Sequence, residues 1–191
     1  VNLFLIRHGE TLSNRRRIYA GKSPEPLTER GRMQAIETAT TLKDMHINAI
    51  YTSPIRRAVE TAEIIGDLTG KDYTIIDDLR EMELGPWEGL SEEEISRLYP
   101  HEWSIWLTRP AELRLNGRET LEELLCRAIN GIKKIRDCCP DGNPVIITHV
   151  ALIRVLYLWS RRMNLNLYKT IDVPNAHIFE ITINPDQEYL F

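Results

Sequence analysis

Apolar residues fall into two kinds of pattern along this chain. Four stand in a row at Leu3-Phe4-Leu5-Ile6, which reads as a strand buried on both faces and central in a parallel sheet. Residues 48–52, 73–76 and 144–148 give three further short strands, the last again a core run. Residues 177–183 alternate instead, which predicts an edge strand with antiparallel pairing. Between the strands the period lengthens to that of a helix. Thr28 is placed as an N-cap, and Ala35, Ile36, Ala39, Leu42 and Met45 then share one face. Ser53-Pro54 reads as an N-cap followed by proline at the first helical position, with Ala58, Val59, Ala62 and Ile65 as the buried side. Ser91 with Glu94, and Thr120 with Glu123, form capping boxes. Ile95 and Leu98 follow the first box. After the second, Leu121, Leu124, Leu125, Ala128, Ile132 and Ile135 mark a long amphipathic helix, ended by Pro140-Asp141-Gly142. A buried helix spans 151–159, and residues 99–115 read as a short helical excursion and loop, a candidate lid over the strand ends. Strands alternating with helices specify an α/β fold with a mostly parallel central sheet and an antiparallel edge strand.

Length and charge narrow this picture. The 191 residues show no repeat, low-complexity tract or composition break, so residues 1–191 are read as one domain. The net charge of −4 gives no reason to expect nucleic acid or an anionic membrane as partner. An anion, if bound, is held by local basic residues. Three cysteines, two of them adjacent (Cys138 and Cys139), are not a disulfide framework, and no spacing suggests a metal site. With no spanning segment and no leader pattern, a reducing cytoplasmic setting is the expectation.

The candidate chemistry lies where strands end. Arg7 and His8 close the first strand, and Gly9 then lets the chain turn sharply and keeps a side chain out of the space that follows. Arg56 and Arg57 open the helix after the second strand, the unfavourable end for a cation. Glu60 can pair with one of them; the other is free, together with the helix N-terminus, to hold an anion. His149 follows the strand at 144–148. In an open α/β sheet these carboxyl ends meet at one edge, where ligands bind. His46, His101 and His177 are read as helix-terminal, exposed and strand residues without special roles, and Arg15–Arg17 as a solvated run. Asn175 fits the pocket border and turn chemistry equally well, and Trp103 and Trp106 fit aromatic packing under a loop ahead of contact with a substrate's organic part.

Two arginine forks suit the oxygens of a phosphoryl group, and a histidine among them can act as nucleophile. Phosphoryl transfer needs charge stabilisation, an in-line nucleophile and a protonated leaving group. Arg7, Arg57 and a protonated His149 offer the first and a neutral His8 the second. A carboxylic acid from the loop 78–89 offers the third, with Glu81, Glu83 and Glu88 all open on composition.

These residues resemble the histidine phosphatases, the phosphoglycerate-mutase-like superfamily. Arg7-His8-Gly9-Glu10-Thr11 with Asn14 looks like its signature, and Ser53-Pro54-Ile55-Arg56-Arg57-Ala58 is similar to its second arginine motif. Leu79-Arg80-Glu81 with Gly85, Trp87, Glu88 and Gly89 looks like its acid loop, and Thr148-His149 with Ile153-Arg154 resembles its second histidine motif. The resemblance implies a three-layer α/β/α sandwich, phosphorylation of His8 during turnover, and Arg7, Arg57 and His149 around the phosphoryl group with Asn14 assisting. It selects Glu81 as proton donor and implies substrate contact at Ala20 and Gly21. It points to a metal-independent phosphomonoester hydrolase of the branch that includes α-ribazole and broad-specificity phosphatases, without cofactor, acting on a small phosphorylated metabolite. A phosphoglycerate mutase and a phosphate-ester-binding regulatory protein are the alternatives. One departure stands out: Val150 and Ala151 follow His149 where the family usually has glycine. A backbone N–H at Val150 can still face phosphate, over a bulkier pocket floor.

Overall fold

The computed structural model describes residues 2–140 and 142–183. Strands β1 (Asn2–Arg7), β2 (Ile50–Thr52), β3 (Tyr73–Ile75), β4 (Val145–Thr148) and β5 (Ile178–Thr182) form one sheet in the order β3-β2-β4-β1-β5. Every pairing is parallel except that of β5 with β1. The alternation at the C-terminal strand therefore does mark an antiparallel edge, and the two unbroken apolar runs, β1 and β4, lie side by side inside the sheet.

Because side chains alternate across a strand, each apolar run serves both faces. Leu3, Leu5 and Ile146 belong to one core; Phe4, Ile6, Val145 and Ile147 belong to the other. Short α1 (Leu12–Arg16) follows β1. Helices α2 (Glu29–Lys43) and α3 (Arg56–Thr69) supply Ala39, Leu42, Ala58, Ala62 and Ile65 to the second core. Short α4 (Glu92–Leu98) follows the Ser91 capping box, and α5 (Pro100–Thr108) fills the first part of the stretch 99–115 foreseen as a helical excursion. The long α6 (Leu121–Cys138) and the apolar α7 (Val150–Ser160) cover the first face. The result is the three-layer α/β/α arrangement. Among the described residues no helix is long and apolar enough to cross a membrane.

Capping follows the sequence at three helices. Thr28, Ser91 and Thr120 each accept from a backbone N–H three residues on, the latter two within full capping boxes. Some details differ. Ser53 is not the N-cap: α3 begins at Arg56 behind Ile55, and the Ser53 hydroxyl accepts from the Ile55 N–H at 3.2 Å while paired with His149 Nε2. The apolar face of α2 is narrower than its spacing predicts, with Ile36 exposed and Met45 and His46 beyond the helix end. Val59 is only half-buried. Of the stop signal after α6, Asp141 lies outside the described residues.

Parallel pairing fixes the level at which β1 and β4 end. Arg7 is the register partner of Thr148, and the His8 N–H donates to the Thr148 carbonyl at 3.0 Å. His8 and His149 thus leave neighbouring strands at the same height.

Candidate active site

The strand ends open into a cavity of about 250 Å³. His8 forms its back wall and is almost wholly buried. Its Nδ1 lies 2.8 Å from the Gly9 carbonyl. A carbonyl only accepts, so Nδ1 carries the proton and Nε2 the lone pair. Arg57 Nε–H donates to that Nε2 at 3.1 Å. Burial, reinforced by Arg57 and Arg7, holds the His8 pKa well below its ordinary value, so the ring is neutral at pH 7.

The turn after His8 has little freedom. A Cβ on Gly9 would stand 2.9 Å from the Gly31 carbonyl carbon and closer still to its oxygen. The space that glycine keeps clear is thus filled by the first turn of α2. Gly9 N–H donates to Thr61 Oγ1, whose hydroxyl donates to the Arg57 carbonyl, tying the turn to α3.

Arg57 is buried, and each of its three side-chain nitrogens donates one hydrogen bond. Besides His8, it donates to the carbonyls of Ser23 (3.1 Å) and Gly21 (2.7 Å). Its neighbour Arg56 makes the ion pair with Glu60, Nε to Oε1 at 2.8 Å, so one carboxylate serves one arginine of the pair, as the sequence suggested. Arg7 donates to the Val173 carbonyl at 2.6 Å. Desolvation lowers its pKa to about 10, which leaves it cationic at neutral pH.

Glu81, Glu83 and Glu88 separate in space. Glu83 pairs with Lys22, and Glu88 accepts from the Lys22 N–H. Glu81 alone of the three lines the cavity. Burial raises its pKa against the opposing pull of Arg57, the Met82 N–H and Arg7, so the carboxyl holds its proton to higher pH than an ordinary glutamate. Arg127 of α6 clamps this loop: its Nη1 donates to the carbonyls of Asp78 (2.8 Å) and Arg80 (2.9 Å), while Nε and Nη2 donate to the two carboxylate oxygens of Glu119.

His149 lies deeper than its sequence position suggests. Its ring centre is 5.2 Å from that of His8, yet it is fully buried, paired through Nε2 with Ser53 Oγ at 2.7 Å while its Nδ1 has no hydrogen-bond partner. Burial and then Arg57 depress its pKa far below the usual range, so the free pocket holds a neutral His149, not a protonated one. Its successors Val150 and Ala151, at the first turn of α7, do line the cavity.

Asn14, Ala20 and Gly21 also line it. Asn14 is fixed twice: its Oδ1 accepts from the Thr11 N–H at the start of α1 and from Asn175 Nδ2 at 2.9 Å. The same Asn175 amide donates to the His8 carbonyl. Asn175, for which the sequence left the pocket border and turn chemistry equally open, therefore joins the two. Trp106, read from sequence chiefly as packing under a loop, also lines the cavity, as do Tyr19, Tyr168 and Lys169, which no sequence signal set apart. Among the described residues no three His, Cys, Asp or Glu side chains gather to hold a metal ion.

Comparison with known proteins gives a consistent result. Residues 3–190 match the family model described as histidine phosphatase superfamily (branch 1). The chain is 36% identical over 152 residues to the Bacillus subtilis (strain 168) protein named uncharacterized phosphatase PhoE, covering 80% of this chain and 73% of that one. It is 28% identical over 176 residues to phosphoserine phosphatase 1 of Hydrogenobacter thermophilus, covering 92% and 83%. Among solved structures, Bacillus stearothermophilus YhfR superposes with a TM-score of 0.90 at 29% identity, over 96% of this chain and 92% of that one.

Proposed function

The chain belongs to the histidine phosphatase superfamily (branch 1) and is a phosphatase; we propose that it hydrolyses small phosphomonoesters through a phosphohistidine on His8, without a metal ion. The observation that carries this reading is the fixed tautomer of His8: Nδ1–H is bound to the Gly9 carbonyl, leaving the Nε2 lone pair beside Arg57.

His8 Nε2 attacks phosphorus as the ester P–O bond breaks. Glu81 gives its proton to the departing oxygen, and alcohol and phosphohistidine result. Water then attacks phosphorus, the Glu81 carboxylate takes a proton from it, the P–N bond breaks, and inorganic phosphate leaves with His8 restored. Arg7 and Arg57 meet the equatorial oxygens, the role a cation plays in phosphoryl transfer. Asn14, Ala20, Gly21 and the Val150 N–H bound the same group. His149, neutral in the free pocket, gains a proton or donates a hydrogen bond once the dianion is in place, because nearby negative charge raises a histidine pKa. The cavity of about 250 Å³ lies just below the ~300 Å³ at which drug-sized pockets begin, and so favours a small metabolite.

The test is phosphate release from an aryl phosphate with chelator present, for the natural chain and for His8→Ala, with an alkaline quench to preserve phosphohistidine. Turnover that survives chelator, disappears in His8→Ala and leaves an acid-labile phosphoprotein is expected. Turnover persisting in His8→Ala would remove the nucleophile from His8.

A further inference from the structure

Residues 173–176 lead from the 3-10 turn Leu165–Thr170 to β5 and bind the end of β1 at three points. The Val173 carbonyl accepts from Arg7 Nη1 at 2.6 Å, Asn175 Nδ2 donates to the His8 carbonyl at 2.9 Å, and the Ala176 N–H donates to the Arg7 carbonyl at 2.8 Å. The Ala176 carbonyl in turn accepts from Thr38 Oγ1 of α2 at 2.6 Å. Ala176 holds φ at 57°, in the left-handed region that a residue with a side chain keeps only where its surroundings over-determine it. Bonds on both sides of Asn175 thus fix this strap against the strand that carries the nucleophile, and what the strap presents there is the Asn175 amide.

That amide faces two acceptors. A carbonyl cannot donate, so the group facing His8 is the NH2, and its second hydrogen goes to Asn14 Oδ1 at 2.9 Å. The Thr11 N–H, which can only donate, meets the same Oδ1 at 3.2 Å. Both lone pairs of Asn14 Oδ1 are filled in this way, and its NH2 is the free end. Among the described residues no hydrogen bond engages that NH2. Asn14 lines the cavity and Asn175 does not. A carboxamide turned by half a revolution has nearly the same shape, so packing alone does not choose which end meets the cavity. Donors to its oxygen choose. The reversed amide would set an oxygen against the oxygens of a phosphoryl group.

We propose that Asn175 is a positioning residue for phosphoryl transfer: it turns the Asn14 amide so that N–H bonds, and no oxygen, meet the phosphoryl group held by Arg7 and Arg57. This rests on the phosphatase reading above. Because one NH2 group holds both the His8 carbonyl and Asn14, the donor and the nucleophile keep a fixed separation, which is what an in-line attack requires.

The experiment combines a double-mutant cycle with nuclear magnetic resonance of the Asn14 side chain. Asn175→Leu keeps the size of the side chain, adds no charge and removes both donated bonds. Its kcat/KM toward an aryl phosphate should fall about tenfold to a hundredfold. Asn14→Ala should fall about a hundredfold, and adding Asn175→Leu to it should cost only about threefold or less, since the two act as one unit. In the natural chain the Asn14 amide signals, identified by their loss in Asn14→Ala, should shift when inorganic phosphate saturates the cavity. Losses that multiply in the double variant would overturn the proposal, as would Asn14 signals unmoved by bound phosphate, a reading that stands even where Asn175→Leu does not fold. A chain that neither binds phosphate nor hydrolyses any ester would overturn the phosphatase reading instead. The ligand-free Asn14 signals then still decide the tether: a shift in Asn175→Leu supports it, and signals identical to those of the natural chain overturn it.

Discussion

Arg57 donates its Nε–H to Nε2 of His8 at 3.1 Å, so the cation occupies the one lone pair that the ring has to offer. In the free pocket the arginine also holds the Gly21 and Ser23 carbonyls. A phosphoryl dianion competes for this guanidinium on better terms than a neutral imidazole or a carbonyl. Its arrival frees Nε2 and loads the arginine in one exchange.

Arg57→Gln therefore removes a phosphoryl clamp and two tethers of the substrate loop together. Its kcat/KM should fall about a hundredfold or more, and amide hydrogen exchange at residues 20–23 should quicken. Activity near the natural level would show that Arg57 does not meet the reacting group.

Burial raises the pKa of Glu81 above the usual carboxylate range. Glu81→Gln should lose about a hundredfold to ten-thousandfold on esters with poor leaving groups. The loss should be much smaller on p-nitrophenyl phosphate, whose phenolate leaves without help. As pH rises through the elevated pKa the acid is consumed, so the natural chain should lose activity toward alkyl phosphates on the alkaline side. Equal losses on both ester types would remove Glu81 from the leaving-group step.

His8 and His149 leave a pH signature in stability. Both fold with pKa values well below the ordinary 6.5, so between 6.5 and the folded values the unfolded chain binds more protons. Stability is whole above pH 6.5 and declines as pH falls below it, by up to about 1.4 kcal/mol per pH unit for each ring. Urea unfolding at pH 7.5, 6.5 and 5.5 should show this decline, and a His8→Gln/His149→Gln chain should show a shallower one. Identical slopes would place the acid sensitivity elsewhere.

Arg127 joins α6 to the acid loop and is paired with Glu119 in a largely buried bridge at 2.8 Å. Arg127→Met leaves a buried carboxylate and should cost about 3–5 kcal/mol in urea unfolding. Arg127→Met/Glu119→Leu should regain much of that stability. It should not regain turnover of alkyl phosphates, because the carbonyls of Asp78 and Arg80 stay unclamped and Glu81 is less well positioned. Full activity in the double variant would make the clamp purely structural.

Local pattern carried much of the architecture. The apolar runs of β1 and β4, the alternation of β5 and the caps at Thr28, Ser91 and Thr120 depend on neighbours within a few residues, and all appear where the sequence puts them. Ser53 shows where such signals stop. Serine followed by proline favours a helix start, but its hydroxyl bonds His149, 96 positions away, and the helix starts later. Ile36 failed similarly: the period gives a face its direction, while its width depends on what packs against it.

Arg7, His8, Arg57 and His149 were legible as a set because parallel strands must bring their carboxyl ends to one edge, and each sits at such an end. The order of the sheet made the meeting specific, with Arg7 level with Thr148. Depth within the site was not legible: His149 is fully buried against Ser53, and Glu81, Glu83 and Glu88 share a loop but only the first lines the cavity. Nor were the joins made by Asn175 and Arg127. The sequence by itself determined the strands, the helix faces and the kinds of side chain at each strand end, since these follow from short-range periodicity and backbone chemistry. Burial, the His8 tautomer, the neutral state of His149 and the balance of charge in the cavity were decided only by the tertiary structure. Each depends on desolvation and on partners far away along the chain, which no local pattern encodes.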